Sequence, residues 1–178
     1  MRKVILFIAM SLDGYIADQY GKVDWLAGLD RQKDTIDTFE EFVKNIDTVI
    51  MGWKTYHQII TELSPEHWVY PNLKSYVVTH QQVTSTHNII FTSEKPQDIV
   101  SKLKQKQGKD IWICGGSQMI QPLLKSQLID EYYITVIPIL LGSGIRLFQS
   151  EYYSVPLKLI HYRENNGMME LVYVHREE

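Results

Sequence analysis

Three short segments of this chain combine the end of an apolar strand-like run with special backbone residues. The first is Asp110-Ile111-Trp112-Ile113-Cys114-Gly115-Gly116-Ser117-Gln118, a strand-like run that breaks at a double glycine and continues as a helix start. Glycine lets the main chain approach a ligand closely, and the first amides of a helix are unpaired and carry partial positive charge. That chemistry suits a phosphate. The same residues read equally well as a tight strand-to-helix turn, because neither GxGxxG spacing nor a GK[ST] ending is present. The second segment, Met51-Gly52-Trp53-Lys54-Thr55-Tyr56, repeats the order of strand, glycine and helix start. Lys54 and Thr55 are suited to hold a phosphate there; as plain structure, Thr55 is an N-cap and Lys54 is solvated. In the third, Ala9-Met10-Ser11-Leu12-Asp13-Gly14-Tyr15-Ile16-Ala17, a strand stops at Asp-Gly and an apolar stretch resumes. Asp13 reads as a turn former whose carboxylate bonds nearby amides, in preference to a catalytic acid.

Other chemistries find little support. The six histidines, His57, His67, His80, His87, His161 and His175, include no i,i+4 pair around a glutamate, and Cys114 is the lone cysteine, so no dedicated metal site is expected. Gly142-Ser143-Gly144 departs from the GxSxG nucleophile elbow. One cysteine also forbids an internal disulfide, which fits a reducing compartment. A net charge of −3 supplies no global field for nucleic acid or an anionic membrane, so small-molecule chemistry is favoured. Arg2-Lys3 followed by Val4 to Met10 imitates a signal peptide, but the apolar run is short and ends without a small-residue cleavage site. It reads as a first strand. With no run long enough to span a membrane, a soluble, cytoplasmic protein is expected.

The elements that must position these segments follow from periodicity. At 178 residues, 44% hydrophobic and 22% charged, the chain suits one domain, 1–178, with a substantial core. Apolar, β-branched runs predict strands at Val4 to Met10, Thr48 to Met51, Tyr76 to Thr79, Asn88 to Phe91, Ile111 to Cys114 and Tyr132 to Ile137. Leu157 to Tyr162 and Met169 to Val174 form a closing pair through Asn165-Asn166-Gly167, whose Asn-Gly step signals a hairpin. Helices are expected at Lys33 to Lys44, Thr55 to Leu63, Gln97 to Gln107 and Ser117 to Ser126. Pro122 lies past the first turn of the last of these, so that helix starts late or bends. Alternating strands and helices followed by strands alone predict a three-layer α/β/α fold whose mainly parallel mixed sheet ends in antiparallel strands. In such a sheet the strand ends lie side by side, and ligands bind in the crevice they form.

Taken in this order, the segments resemble the dihydrofolate reductase superfamily, most closely its riboflavin-biosynthesis reductase branch. Ser11-Leu12-Asp13-Gly14-Tyr15-Ile16-Ala17 resembles that branch's SLDGxIA element, Met51 to Tyr56 its MGRxTY element, and Ile113 to Ser117 its double-glycine turn. Leu128 to Glu131, Thr135 to Pro138 and Leu141 to Phe148 are similar to its DEL…P…LGxGxxLF signature. The resemblance implies NADPH across the strand ends, with the nicotinamide near Ala9 and Ile16 and the pyrophosphate on Gly115, Gly116, Ser117 and Gln118. It puts Gly52, Trp53, Lys54, Thr55, Thr79 and His80 on the adenosine half and its 2′-phosphate, and implies a cis peptide between the two glycines. Trp53 stands where the branch has an arginine, leaving the 2′-phosphate to Lys54 and His80, while the indole suits stacking on adenine.

Two departures bear on the substrate. Phe7 replaces a lysine of the riboflavin enzymes, and Cys114 replaces their glutamate before the double glycine. The catalytic carboxylate falls on Asp30 counting forward from Trp25 and nearer Asp34 counting back from Gly52, with Thr135 as the strand threonine that supports it; as plain structure, both acids are solvated groups near a helix start. Trp25 and the loop containing Trp68 and Tyr70 wall the substrate side or are packed structure. The implied reaction is hydride transfer to a C=N or C=O carbon of a pteridine-like or ribosylaminopyrimidine substrate, in a homodimer. The competing reading is a nicotinamide-nucleotide-binding protein of the same fold without turnover, and a third, weaker one is an interaction module using the aromatic loop.

Overall fold

A computed structural model describes residues 1–27, 38–149 and 154–176. The chain enters as β1 (Val4–Ser11), turns into the short β2 (Tyr15–Ala17) and a single 3-10 turn at Asp24–Ala27, then resumes with α1 (Thr38–Val43). It continues through β3 (Ile46–Gly52), α2 (Trp53–Gln58), a π-helical turn at Ile59–Leu63, β4 (Lys74–Val78), β5 (Ile89–Thr92), α3 (Pro96–Lys104), β6 (Asp110–Gly115) and α4 (Ser117–Lys125). The last strands are β7 (Glu131–Ile137), the two-residue β8 (Ile145–Arg146), β9 (Leu157–Asn165) and β10 (Met168–His175).

Among the described residues, eight strands form one sheet in the order β5-β4-β3-β6-β1-β7-β10-β9. Every pairing from β5 to β7 is parallel, while β10 runs antiparallel to both β7 and β9. The hairpin between β9 and β10 closes on Asn166 and Gly167, both at positive φ, as a type I′ turn demands.

Strand alternation sends successive side chains to opposite faces, and two cores result. On one face Val4, Leu6, Ile50, Ile111 and Ile113 meet Ile99, Val100 and Leu103 of α3 and Ile120, Leu123 and Leu124 of α4. On the other, Ile5, Val49, Met51 and Trp112 meet Phe42 of α1 and Ile59 beyond α2. Helices therefore cover both faces, giving the three layers.

Several boundaries differ from the sequence expectation. The helix expected over Ser117 to Ser126 runs Ser117–Lys125 with Pro122 inside it, so of the two alternatives it does not start late: the fully buried Ile120 and Leu123 hold it on the sheet, and tertiary packing outweighs the missing amide. The helix expected over Thr55 to Leu63 starts two residues earlier and widens into the π-helical turn after Gln58. The first expected helix is described only from Thr38 onward. The pairing of β2 with β8 has no counterpart in the expected elements, because two- and three-residue strands carry no periodicity to read. Among the described residues no helix is long and apolar enough to cross a membrane.

Candidate active site

Parallel pairing puts the C-terminal ends of β4, β3, β6 and β1 along one edge of the sheet, at Val78, Gly52, Gly115 and Ser11. This edge gathers the residues expected to hold the pyrophosphate and the adenosine half, with Ala9 on β1, while Ile16 lies on β2 of the small second sheet. Gly52 and Gly115 end neighbouring strands whose following helices pack on opposite faces, so a crevice opens where the two helix starts diverge. The fit across it is close. A Cβ placed on Gly52 would stand 3.4 Å from Met119 Cγ of α4, and one on Gly116 would stand 3.7 Å from Thr55 Oγ1 of α2.

The peptide between Gly115 and Gly116 is cis, as the resemblance implies, and Gly115 has φ of +125°, a region that favours glycine. Gly116 caps α4 through extended backbone without a side-chain hydrogen bond; the Met119 amide donates to the Gly116 carbonyl at 2.9 Å, and no side chain caps the Ser117 and Gln118 amides before it. The buried Ser117 hydroxyl accepts a bond from Gln149 Nε2 at 3.3 Å, while Gln118 is exposed. Lys54 and His80 are exposed at the same edge. Thr79 is buried, and its hydroxyl accepts the Gln81 amide at 3.0 Å. Trp53 is half-buried, its ring centroid 5.5 Å from Tyr56 and 6.3 Å from Phe91.

The end of β1 is clasped from a distance. Ser11 Oγ donates to Asp13 Oδ1 at 2.6 Å, and the amides of Leu141 and Gly142 reach the same carboxylate at 3.1 and 2.7 Å. Asp13 is thereby the amide-binding turn residue its neighbours suggested. The Ser11 hydroxyl and the two amides hold its carboxyl at about 2, below the ordinary 3.8. The Gly14 carbonyl accepts the Leu147 amide, β2 pairs with β8, and the Arg146 guanidinium lies 4.8 Å from the Tyr15 ring centroid. The two segments, 11–17 and 141–148, thus fix each other. Ala9 and Ile16 lie on the strands so held, half-buried.

On the α1 face, beside β1, lies a cavity of about 360 Å³. Phe7, Phe42, Tyr133 and Thr135 line it, with Glu170 of β10 and Arg163 of β9. Strand register aligns the polar members: Ala9 is paired with Thr135, Thr135 with Glu170, and Glu170 with Arg163, one row across four strands. Arg163 Nε donates to Glu170 Oε2 at 2.9 Å, and Arg163 Nη1 lies 3.8 Å from Glu41 Oε2 of α1. Asp30 and Asp34 lie outside the described residues.

Cys114 packs on this same side of the sheet. Desolvation pushes it up to about 12, against a bond from the Tyr70 hydroxyl that pulls it down. Tyr70 is packed 4.9 Å from the Trp112 ring and 5.3 Å from Trp68, so Trp68 and Tyr70 build the aromatic core under this face and do not line the cavity. Glu170 and Arg163 were not among the residues singled out by sequence. Counting outward from the Asn-Gly turn pairs them, a signal available once the hairpin is recognised.

Comparison with known proteins agrees with this fold. The family model of the RibD C-terminal domain matches residues 2–167. The chain belongs to the RibD C-terminal domain family, the riboflavin-reductase branch of the dihydrofolate reductase-like fold. The uncharacterized protein YwjB of Bacillus subtilis is 35% identical over 176 residues, covering 97% of this chain and 98% of its own length. A solved protein of Shewanella sp. PV-4, provisionally named for riboflavin biosynthesis, is 31% identical with a TM-score of 0.83, covering 98% of this chain and 99% of its own. The Thermotoga maritima diaminohydroxyphosphoribosylaminopyrimidine deaminase/5-amino-6-(5-phosphoribosylamino)uracil reductase shares the fold at a TM-score of 0.69 and 17% identity, over 98% of this chain and 57% of its own.

Proposed function

We propose that this protein is an NADPH-dependent reductase acting on a pteridine-like or ribosylaminopyrimidine-type substrate, as one domain in a homodimer. The observation that carries the reading is the uncapped start of α4 at the double glycine, with the Thr55 hydroxyl facing it across the crevice. The helix-start amides, the Thr55 hydroxyl and the nearby Lys54 ammonium form a donor set matched to a dinucleotide's phosphates, and within 4 Å of a Cβ at Gly116 the neighbour is that same hydroxyl, at 3.7 Å. Gly115 to Gln118 would hold the pyrophosphate. Lys54 and His80 would meet the 2′-phosphate, with Gly52, Trp53, Thr55 and Thr79 around the adenosine half.

Bound NADPH supplies a hydride from nicotinamide C4, which forms a C–H bond at the carbon of a substrate C=N or C=O while the neighbouring nitrogen or oxygen takes a proton. The protein positions the two partners and routes that proton. Ala9 on β1 and Ile16 on β2, the strand that β8 holds, would lie against the nicotinamide, and Phe7 and Thr135 would face the substrate from the adjoining cavity. Asp30 is the proton donor in this reading.

Following reduced-nicotinamide absorbance with dihydrofolate and with 5-amino-6-(5-phosphoribosylamino)uracil tests turnover, and titration with NADPH and NADH tests binding. NADPH is expected to bind more tightly than NADH and to be oxidised with one of these ring systems. Failure to bind either nucleotide ends the proposal. Tight binding without oxidation by any pteridine or aminopyrimidine moves the protein to the non-catalytic nucleotide-binding reading. Sedimentation equilibrium decides the homodimer.

A further inference from the structure

The segment that follows β8 reaches the start of α4 from a side that neither α2 nor the strand ends supply. Leu147 is fully buried in the core it shares with Met119 and Ile120 of α4, and Phe148 packs against that core. The Leu147 amide donates to the Gly14 carbonyl at 2.9 Å, so the backbone there is also fixed to the turn that ends β1. Two residues on, Gln149 is exposed, and its Nε2 donates to Ser117 Oγ at 3.3 Å. That bond joins the segment holding β2 to the first residue of α4 after the double glycine.

A glutamine amide nitrogen carries two N–H groups, and a serine hydroxyl has one proton and two lone pairs. With one Gln149 N–H on a Ser117 lone pair, the second N–H and the hydroxyl proton have no partner among the described residues. Ser117 is only 5% exposed, so bulk water has little access to that proton, and an acceptor entering from the crevice satisfies it. Thr55 Oγ1 approaches from α2, 3.7 Å from a Cβ placed on the adjoining Gly116. Three side-chain donors from three separate elements therefore converge on one turn, where no side chain caps the Ser117 and Gln118 amides. Donors arriving from several directions suit an anion with several oxygens, and a pyrophosphate presents them.

We infer that Gln149 is a further cofactor-binding residue, whose second N–H donates to a pyrophosphate oxygen and whose bond to Ser117 leaves the hydroxyl proton to the same group. The identity of the ligand rests on the reductase reading. Gln149 follows directly on the residues that hold Gly14 and β2, so the contact ties the pyrophosphate to the strand that carries Ile16.

The test is calorimetric titration of the full chain, of Gln149→Ala and of Gln149→Glu with NADPH and with adenosine 2′-monophosphate, which keeps the adenosine half and lacks the pyrophosphate. Gln149→Ala is expected to weaken NADPH about tenfold, the effect of one hydrogen bond to a charged acceptor. Gln149→Glu is expected to weaken it further, because a carboxylate beside Ser117 repels the phosphates. In both variants the affinity for adenosine 2′-monophosphate and the melting temperature of the unliganded chain are expected to stay unchanged, since Gln149 is exposed. Equal weakening of both ligands assigns the effect to the fold and overturns the inference. Should Gln149→Glu fail to fold, Gln149→Ala decides by the same comparison. A native chain that binds neither ligand overturns the reductase reading and the inference with it, whereas unaltered NADPH affinity in Gln149→Ala overturns the inference alone.

Discussion

The Asp13 carboxylate accepts hydrogen bonds from Ser11 Oγ, Leu141 N and Gly142 N, and these hold its pKa at about 2. A carboxylate whose pKa is depressed on folding contributes stability that is fully present above its unfolded value, here near 3.8, and is lost as pH falls toward the folded value. Denaturation midpoints measured between about pH 5 and pH 2 should therefore fall steeply for the native chain and more gently for Asp13→Asn, which starts lower and has no proton to gain. Parallel curves would assign the acid sensitivity to other groups. That Asp13 binds amides was readable from the Asp-Gly that follows Ser11-Leu12. Which amides it binds was not, because they lie 128 and 129 positions away, in a loop whose signature says nothing of what it touches. Cys114 shows the same division. Its place before the double glycine was visible in the sequence, whereas its raised pKa follows from desolvation among the aromatic side chains around Tyr70.

Elements of two or three residues control the site more than their length suggests. β8 contributes only Ile145 and Arg146, yet it holds β2 and, through the Leu147 amide on the Gly14 carbonyl, the turn that ends β1. Gly144 makes this approach feasible: it has φ of +145°, and a Cβ there would fall 2.2 Å from the Ala17 carbonyl oxygen. Backbone atoms cannot yield as a flexible side chain can. Gly144→Ala should cost about 3 kcal/mol in urea denaturation, and should weaken NADPH binding in the folded fraction by displacing Ile16. A variant as stable as the native chain would show that the clasp adapts. The longer strands and helices were legible because their burial follows periods of 2 and 3.6, and the β9–β10 hairpin because Asn-Gly fits a turn with two positive φ values. Pro122 left a late start or a bend open for the helix expected from Ser117, and the fully buried Ile120 and Leu123 hold its start there. The row from Ala9 through Thr135 and Glu170 to Arg163 joins four strands, and only the assembled sheet order puts its members together.

At the scale of the whole molecule, the proposed cofactor site is a seam between two halves of the structure. α2 packs on one face and α4 on the other, and their starts meet where Thr55 faces Gly116. A dinucleotide bound along that edge touches the ends of β4, β3, β6 and β1 together, so it favours the folded chain over the unfolded one as a unit. At a concentration about 100 times its Kd, such a ligand adds about 2.7 kcal/mol, which for a chain of this size raises Tm by about 5–10 °C. Scanning calorimetry with NADPH should show that rise. With NADH the rise should be smaller at equal concentration, since the 2′-phosphate would lose its partner Lys54. Lys54→Met should reduce NADPH affinity about tenfold and leave NADH almost unchanged, because one charge-assisted contact is removed and Lys54 is exposed with no partner among the described residues. If Lys54→Met weakens both nucleotides equally, Lys54 contacts the shared pyrophosphate instead. If neither nucleotide shifts Tm, the crevice between α2 and α4 is a packing feature of the sheet edge, and the reductase proposal falls with it.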